Sequence, residues 1–212
     1  GTSLQELGQV DAAKFRYNQA IDSKPDYAEA HYNLGITLQE MGSLHEAEVS
    51  YRRAIASKPD FAEAYSNLGC TLQELGRLDH AEASFYQAIA LKTDSAESHY
   101  NLANTLQELG KTNDAISSYN NAIALKPDYA KAHYNKGITL KELGKTDEAL
   151  ASYSEAIASK SDFAEAYYNV GITLQEMGKL EEAKSNYAQA VALKPDYAEA
   201  HRVLASIKNF DE

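Results

Sequence analysis

Apolar residues recur along the chain three or four positions apart, in runs of roughly 12–15 residues, the spacing of one helix face. The runs come in pairs. Between the two runs of a pair stands a glycine: Gly8, Gly42, Gly76, Gly110, Gly144 and Gly178. Between one pair and the next stands Pro25, Pro59, Pro127 or Pro195, with Thr93 and Ser161 in the two remaining places. Both columns step by 34 residues. Glycine tolerates the positive φ of a tight helix-ending turn, and proline stops a helix from continuing out of the preceding turn. The pattern therefore predicts an all-α chain of stacked helix-turn-helix blocks, read as one domain over 1–212. Full blocks cover 28–61, 62–95, 96–129, 130–163 and 164–197, after a partial block over 1–27. Residues 198–212 read as a final capping helix and tail, with Arg202 and Lys208 on its wet outer side. The partial block at the start is what a segment of a longer protein would show.

Helix starts are marked as well. Asp26, Asp60, Asp94, Asp162 and Asp196 each stand three residues before a glutamate (Glu29, Glu63, Glu97, Glu165 and Glu199). That layout predicts capping boxes, the aspartate accepting from free N–H groups of the first turn and the glutamate reaching back. Asp128 is followed by Lys131 instead.

Turned at 100° per residue, the first helix of block 28–61 has two faces. Ala30, His31, Leu34, Gly35, Leu38 and Met41 share an arc of about 140° that reads as core. Glu29, Tyr32, Asn33, Ile36, Gln39 and Glu40 share the opposed arc. On it lies a column of asparagines, Asn33, Asn67, Asn101, Asn135 and Asn169, beside Tyr32, Ser66, Tyr100, Tyr134 and Tyr168. Asparagine costs a helix about 0.7 kcal/mol relative to alanine, so five copies at one phase call for a reason beyond helix stability. Its amide can pair with both polar groups of a peptide backbone, each bond being worth about 0.5–1.5 kcal/mol net. Tyrosines add apolar area with a polar tip. Such a face suits an extended peptide, and the row Glu40, Glu74, Glu108, Glu142 and Glu176 favours a basic one. The same residues also suit a structural role, the asparagines bridging neighbouring helices and the tyrosines packing between blocks.

Charge narrows the partners. Asp plus Glu outnumber Lys plus Arg by 31 to 20, for a net charge of -11, which argues against a nucleic-acid surface. No apolar run approaches the ~20 residues of a membrane span, and no signal peptide opens the chain. The one cysteine, Cys70, cannot form an internal disulfide, so a cytoplasmic location is expected. His31, His99, His133 and His201 share a phase, but residues whole blocks apart cannot converge within the ~2.1 Å of a zinc ligand, so they read as packing. Cys70 has no basic partner in its own helix and reads as a small filler. No phosphate loop, nucleophile elbow or convergent carboxylate pair is present. Neither catalytic residues nor a cofactor nor a metal is expected.

The punctuation closely resembles the tetratricopeptide repeat family over essentially the whole chain. Block 28–61 carries the family's places as His31, Leu34, Gly35, Leu38, Gly42, Ala47, Tyr51, Ala54 and Pro59. Block 62–95 carries them as Tyr65, Leu68, Gly69, Leu72, Gly76, Ala81, Phe85 and Ala88, and block 130–163 as His133, Gly137, Leu140, Gly144, Ala149, Tyr153 and Ala156. The resemblance implies a right-handed α-solenoid whose first helices line a concave groove, and hence a non-catalytic protein-interaction scaffold. The asparagine column resembles the ladder of O-GlcNAc transferase. In the family Lys131 and Lys141 hold groove positions, where sister blocks have Glu and Gln, so they imply a local positive spot for an acidic group of the ligand. Lys136 takes a core place, its stem able to reach the edge. The array also resembles those preceding bacterial sulfotransferase or glycosyltransferase domains, which implies a substrate-recruiting arm as an alternative. A third alternative is self-association into a homo-oligomer through the uncovered end of the array.

Overall fold

The computed structural model describes residues 4–208. The expected tail beyond Lys208, the side chain of Lys208 and the first three residues lie outside what it describes. Twelve helices and no strand occur among the described residues. They are α1 (Leu4–Ser23), α2 (Ala28–Glu40), α3 (Leu44–Ser57), α4 (Ala62–Glu74), α5 (Leu78–Leu91), α6 (Ala96–Glu108), α7 (Thr112–Leu125), α8 (Ala130–Glu142), α9 (Thr146–Ser159), α10 (Ala164–Glu176), α11 (Leu180–Leu193) and α12 (Ala198–Lys208). All-α helix-turn-helix blocks are thus what the sequence folds into. One turn differs from expectation: α1 runs straight through Gly8.

Two kinds of connection alternate. Inside a block, the first helix closes with Gly42 at φ 74° and its equivalents. Gly42 N–H donates to the Gln39 carbonyl at 2.9 Å and Ser43 N–H to the Leu38 carbonyl at 2.8 Å, which satisfies carbonyls the helix end leaves free. An L side chain in that left-handed conformation costs roughly 1–2 kcal/mol. Between blocks, Phe61 N–H donates to the Lys58 carbonyl at 3.2 Å, closing a tight turn with Pro59 and Asp60 at its centre.

That turn overturns the capping boxes. The aspartates fall inside it, one residue too early, and the cap positions go to Tyr27, Phe61, Tyr129 and Phe163, none of which makes a side-chain cap bond. Ser95, the cap of α6, does accept with its hydroxyl, from Ser98 N–H at 3.2 Å. The glutamates find other partners. Glu29 pairs with Lys58 at 3.7 Å, Glu63 with Lys92 at 3.3 Å and Glu165 with Lys194 at 3.0 Å. The start of each of these first helices is thus clasped to the end of its own second helix.

The chain divides into two compact units, Gly1–Lys111 and Thr112–Glu212. In the first, α1 to α6 pack consecutively, and the first helices α2, α4 and α6 also touch in series. In the second, α7 to α12 pack consecutively. Within a block the two helices close on a glycine. A Cβ added to Gly35 would stand 2.5 Å from the Tyr51 ring, and one added to Gly137 equally close to Tyr153. Tyr51, Phe85, Tyr153 and Tyr187 are almost wholly buried against such places. Leu34, Leu38, Ala30 and His31 are core as expected, but Met41 is 38% exposed, because it caps α2 beyond the packed turns.

The units differ at one column. In the first, Glu48 lies 2.7 Å from Arg77 and Glu82 lies 2.6 Å from Lys111, each pair joining successive blocks. In the second, the same column reads Ile116, Leu150 and Lys184, the first two packed on the core around Tyr153 and Tyr187.

Candidate functional site

Within each unit the asparagine face is built by the stacking of first helices. Asn67 Nδ2 donates to the Tyr32 hydroxyl at 3.2 Å, and Asn169 Nδ2 to the Tyr134 hydroxyl at 2.9 Å. Each asparagine therefore reaches back to the tyrosine of the preceding block. Asn101, facing Ser66 instead of a tyrosine, donates to Cys70 Sγ at 3.4 Å. All five asparagines are half-buried. The bonds to Tyr32 and Tyr134 use one donor hydrogen of a group that offers two, plus an acceptor oxygen. The structural role left open in the sequence is thus real, and it leaves amide capacity over.

The tyrosines are pinned by rings. Tyr32 stacks at 4.7 Å on Phe61 of the next block junction and lies 6.0 Å from Tyr51. Tyr134 repeats this with Phe163 and Tyr153, and Tyr168 with Tyr197 and Tyr187. Over the outer ring of each pair sits a lysine: Lys58 at 4.7 Å from Phe61, Lys160 at 5.0 Å from Phe163, and Lys194 at 4.9 Å from Tyr197. Such cation–π contacts are worth about 0.5–1 kcal/mol at exposed sites.

Two columns escaped the sequence reading. Thr37, Thr71, Thr105, Thr139 and Thr173 are buried, and each hydroxyl donates to the carbonyl of the asparagine four residues back, at 2.7–3.0 Å. The glutamines and glutamates of the asparagine arc also form cross-block bonds. Gln39 Nε2 donates to Glu74 at 2.8 Å and Gln73 Nε2 to Glu108. Gln39 also accepts from the Tyr51 hydroxyl at 3.1 Å, as Gln175 does from Tyr187 at 2.8 Å. The only advance signal was recurrence at the 34-residue step. The shared phase of the histidines has a similar origin: the Nε2 atoms of His31, His133 and His201 lie 2.8–2.9 Å from the carbonyls of Pro25, Pro127 and Pro195.

The two lysines part company. Lys141 Nζ lies 2.9 Å from Glu176, filling the place of a glutamine in its cross-block bond. Lys131 is exposed. It stands where Glu29, Glu63 and Glu165 clasp a lysine, and the lysine of its own block, Lys160, holds the corresponding place. The edge of block 130–163 therefore carries two cations where blocks 28–61, 62–95 and 164–197 carry an ion pair.

Cys70 is half-buried, and burial, with Glu97 and Glu74 behind it, pushes its thiol up to about 11. A free thiol titrates near ~8.5, and the thiolate is the reacting form. Iodoacetamide is therefore expected to alkylate Cys70 at least ~100-fold more slowly than a model thiol at pH 8. Its rate should go on rising well past pH ~9; a plateau there would contradict this environment.

Among the described residues no group of three or more His, Cys, Asp or Glu could hold a metal, and no helix is long and apolar enough to cross a membrane. A family model for the TPR repeat matches residues 1–42, 39–76, 104–144 and 139–178, and further tetratricopeptide repeat models match 62–95, 84–117 and 164–197. The chain belongs to the tetratricopeptide repeat (TPR) family. No curated protein sequence matches it. Among solved structures, a crystal structure of MamA is 27% identical, with a TM-score of 0.74 over 78% of this chain and 97% of that one. YrrB, described as a TPR protein with an unusual peptide-binding site, is 23% identical, with a TM-score of 0.73 over 88% of this chain and 96% of that one. PilF of Pseudomonas aeruginosa is 20% identical, with a TM-score of 0.80 over 95% of this chain and 92% of that one. The fold is that of TPR interaction scaffolds.

Proposed function

We propose that this TPR array is a non-catalytic scaffold that binds an extended peptide or partner segment along its first-helix face. The observation that carries the reading is the asparagine column, half-buried amides at Asn33, Asn67 and Asn101 in the first unit and at Asn135 and Asn169 in the second, their backbone held by the buried threonines, with Asn67 and Asn169 each spending one donor hydrogen on a tyrosine. Peptide binding described for YrrB is carried over here as part of the proposal, on the shared fold. The net charge of -11 suits a ligand that is basic overall. Lys131 offers one acidic group of that ligand a positive contact, and Lys141, bound to Glu176, contributes through that pair.

The test is a peptide-array screen with the wild-type chain and a variant carrying alanine at Asn33, Asn67, Asn101, Asn135 and Asn169. If each bond contributes about 0.5–1.5 kcal/mol, captured peptides are expected to bind the variant at least about tenfold more weakly. Circular dichroism establishes that the variant keeps its helices. Equal capture by both proteins would remove the column from the binding site.

A further inference from the structure

One block junction in the first unit lacks both of its rings. Where other junctions have Tyr32 with Phe61, Tyr134 with Phe163 and Tyr168 with Tyr197, this one has Ser66 with Ser95. The loss opens a pocket of about 220 Å³ between α4 and α6, lined by Tyr32, Ser66, Asn67, Cys70, Ser95 and Ser98 among others. A cavity of about 150 Å³ accepts a benzene ring, whereas drug-sized ligands occupy roughly 300–1,000 Å³. This pocket is therefore sized for one substituted ring.

Three features around it match what is missing. Lys92, which also lines the pocket, has a serine where Lys58, Lys160 and Lys194 each have a ring beneath them. Asn101 donates to the sulfur of the pocket-lining Cys70 at 3.4 Å, where Asn67 and Asn169 donate to a tyrosine hydroxyl, and a thiol is a weak acceptor. The three serines form a polar floor, Ser95 and Ser98 hydroxyls 2.8 Å apart and Ser98 donating to Ser66 at 3.4 Å. The vacancy asks for a ring under a cation and an oxygen near an amide donor, which is the chemistry of a phenol.

We propose that this pocket is a tyrosine subsite, taking the side chain of a tyrosine in the bound peptide. The ring occupies the place of the absent aromatics beneath Lys92, and the hydroxyl accepts from Asn101 Nδ2. The proposal rests on the peptide-binding reading, which the experiment below separates from it.

The probe is N-acetyl-tyrosinamide, followed by chemical-shift changes at the amides of Ser66, Cys70 and Ser95. Tyrosinamide is expected to bind, the phenylalanine analogue several-fold more weakly, and the leucine analogue without saturation. The variant Ser66→Tyr with Ser95→Phe restores the sister pair, so it should melt higher and lose the probe. Asn101→Leu should erase the preference for tyrosine over phenylalanine while leaving ring binding. No binding to the wild-type chain, equal binding of the leucine analogue, or binding that survives the filled variant would each overturn the subsite. Array peptides captured equally by wild-type and filled chains, whatever their tyrosine content, would also overturn it while leaving the groove reading intact. Saturable tyrosinamide binding with no peptide captured would keep the pocket and defeat the groove.

Discussion

Replacing Tyr153 by alanine is expected to lower the unfolding free energy by about 3–5 kcal/mol, the range for deleting a buried aromatic side chain. Urea unfolding followed by circular dichroism measures it. Tyr153 is 1% exposed and shares a core with Leu140, Val170 and Leu174. Its ring lies over Gly137 so closely that a Cβ there would stand 2.5 Å from it. Gly137→Ala alone therefore forces the ring aside and should cost roughly 1–3 kcal/mol. With Tyr153 already gone, the new methyl enters empty space, so the double variant should lose less than the two single losses added together. Strict additivity would show that the glycine and the ring are not packed as described. The same pairing of helical glycine with ring recurs at Gly35 with Tyr51, Gly69 with Phe85 and Gly171 with Tyr187.

Alkali is expected to unfold the protein cooperatively above about pH 10. Burial holds the hydroxyls of Tyr51 and Tyr153 well above the ordinary phenol range, and it pushes Tyr187 up to about 12, with Tyr168 and Glu176 adding to it. The sign follows from proton binding. Below about pH 10 these tyrosines are protonated in both states and their contribution is fully present. Between that point and the folded value, the unfolded chain releases protons that the folded chain keeps, so stability falls as pH rises. Tyr187 therefore adds to this loss of stability as its unfolded counterpart ionises first. Tyrosinate absorbance of the buried residues should rise together with the loss of helical signal. A single stage for all fifteen tyrosines with helicity intact would contradict their burial.

The helices and their pairing were legible because glycine, proline and apolar residues repeat with one step, and backbone geometry follows from those residues locally. The aspartate caps were misread for an equally local reason. A three-residue offset to glutamate looks like a capping box, but Pro59 with Asp60 makes a turn that hands the cap to Phe61. The asparagine column was legible as a column. Its tyrosine partners were not, because Asn67 reaches back 35 residues to Tyr32, a distance that becomes a contact only once helices stack. The Gln39–Glu74 bond hid behind the same step. Lys131 stood out in composition, while the pairing of Lys141 with Glu176 needed the neighbouring block.

The cross-block bonds of the first unit run between adjacent blocks: Asn67 with Tyr32, Gln39 with Glu74, Glu48 with Arg77. Excising residues 62–95 in frame would bring Asn101 opposite Tyr32, Glu108 opposite Gln39 and Lys111 opposite Glu48, each a chemically equivalent partner. The junction so formed would keep Phe61 and lose Ser66 and Ser95 together. A gene built this way can shorten or lengthen by whole blocks without leaving a mismatched seam, and loss of block 62–95 would also erase the ringless junction.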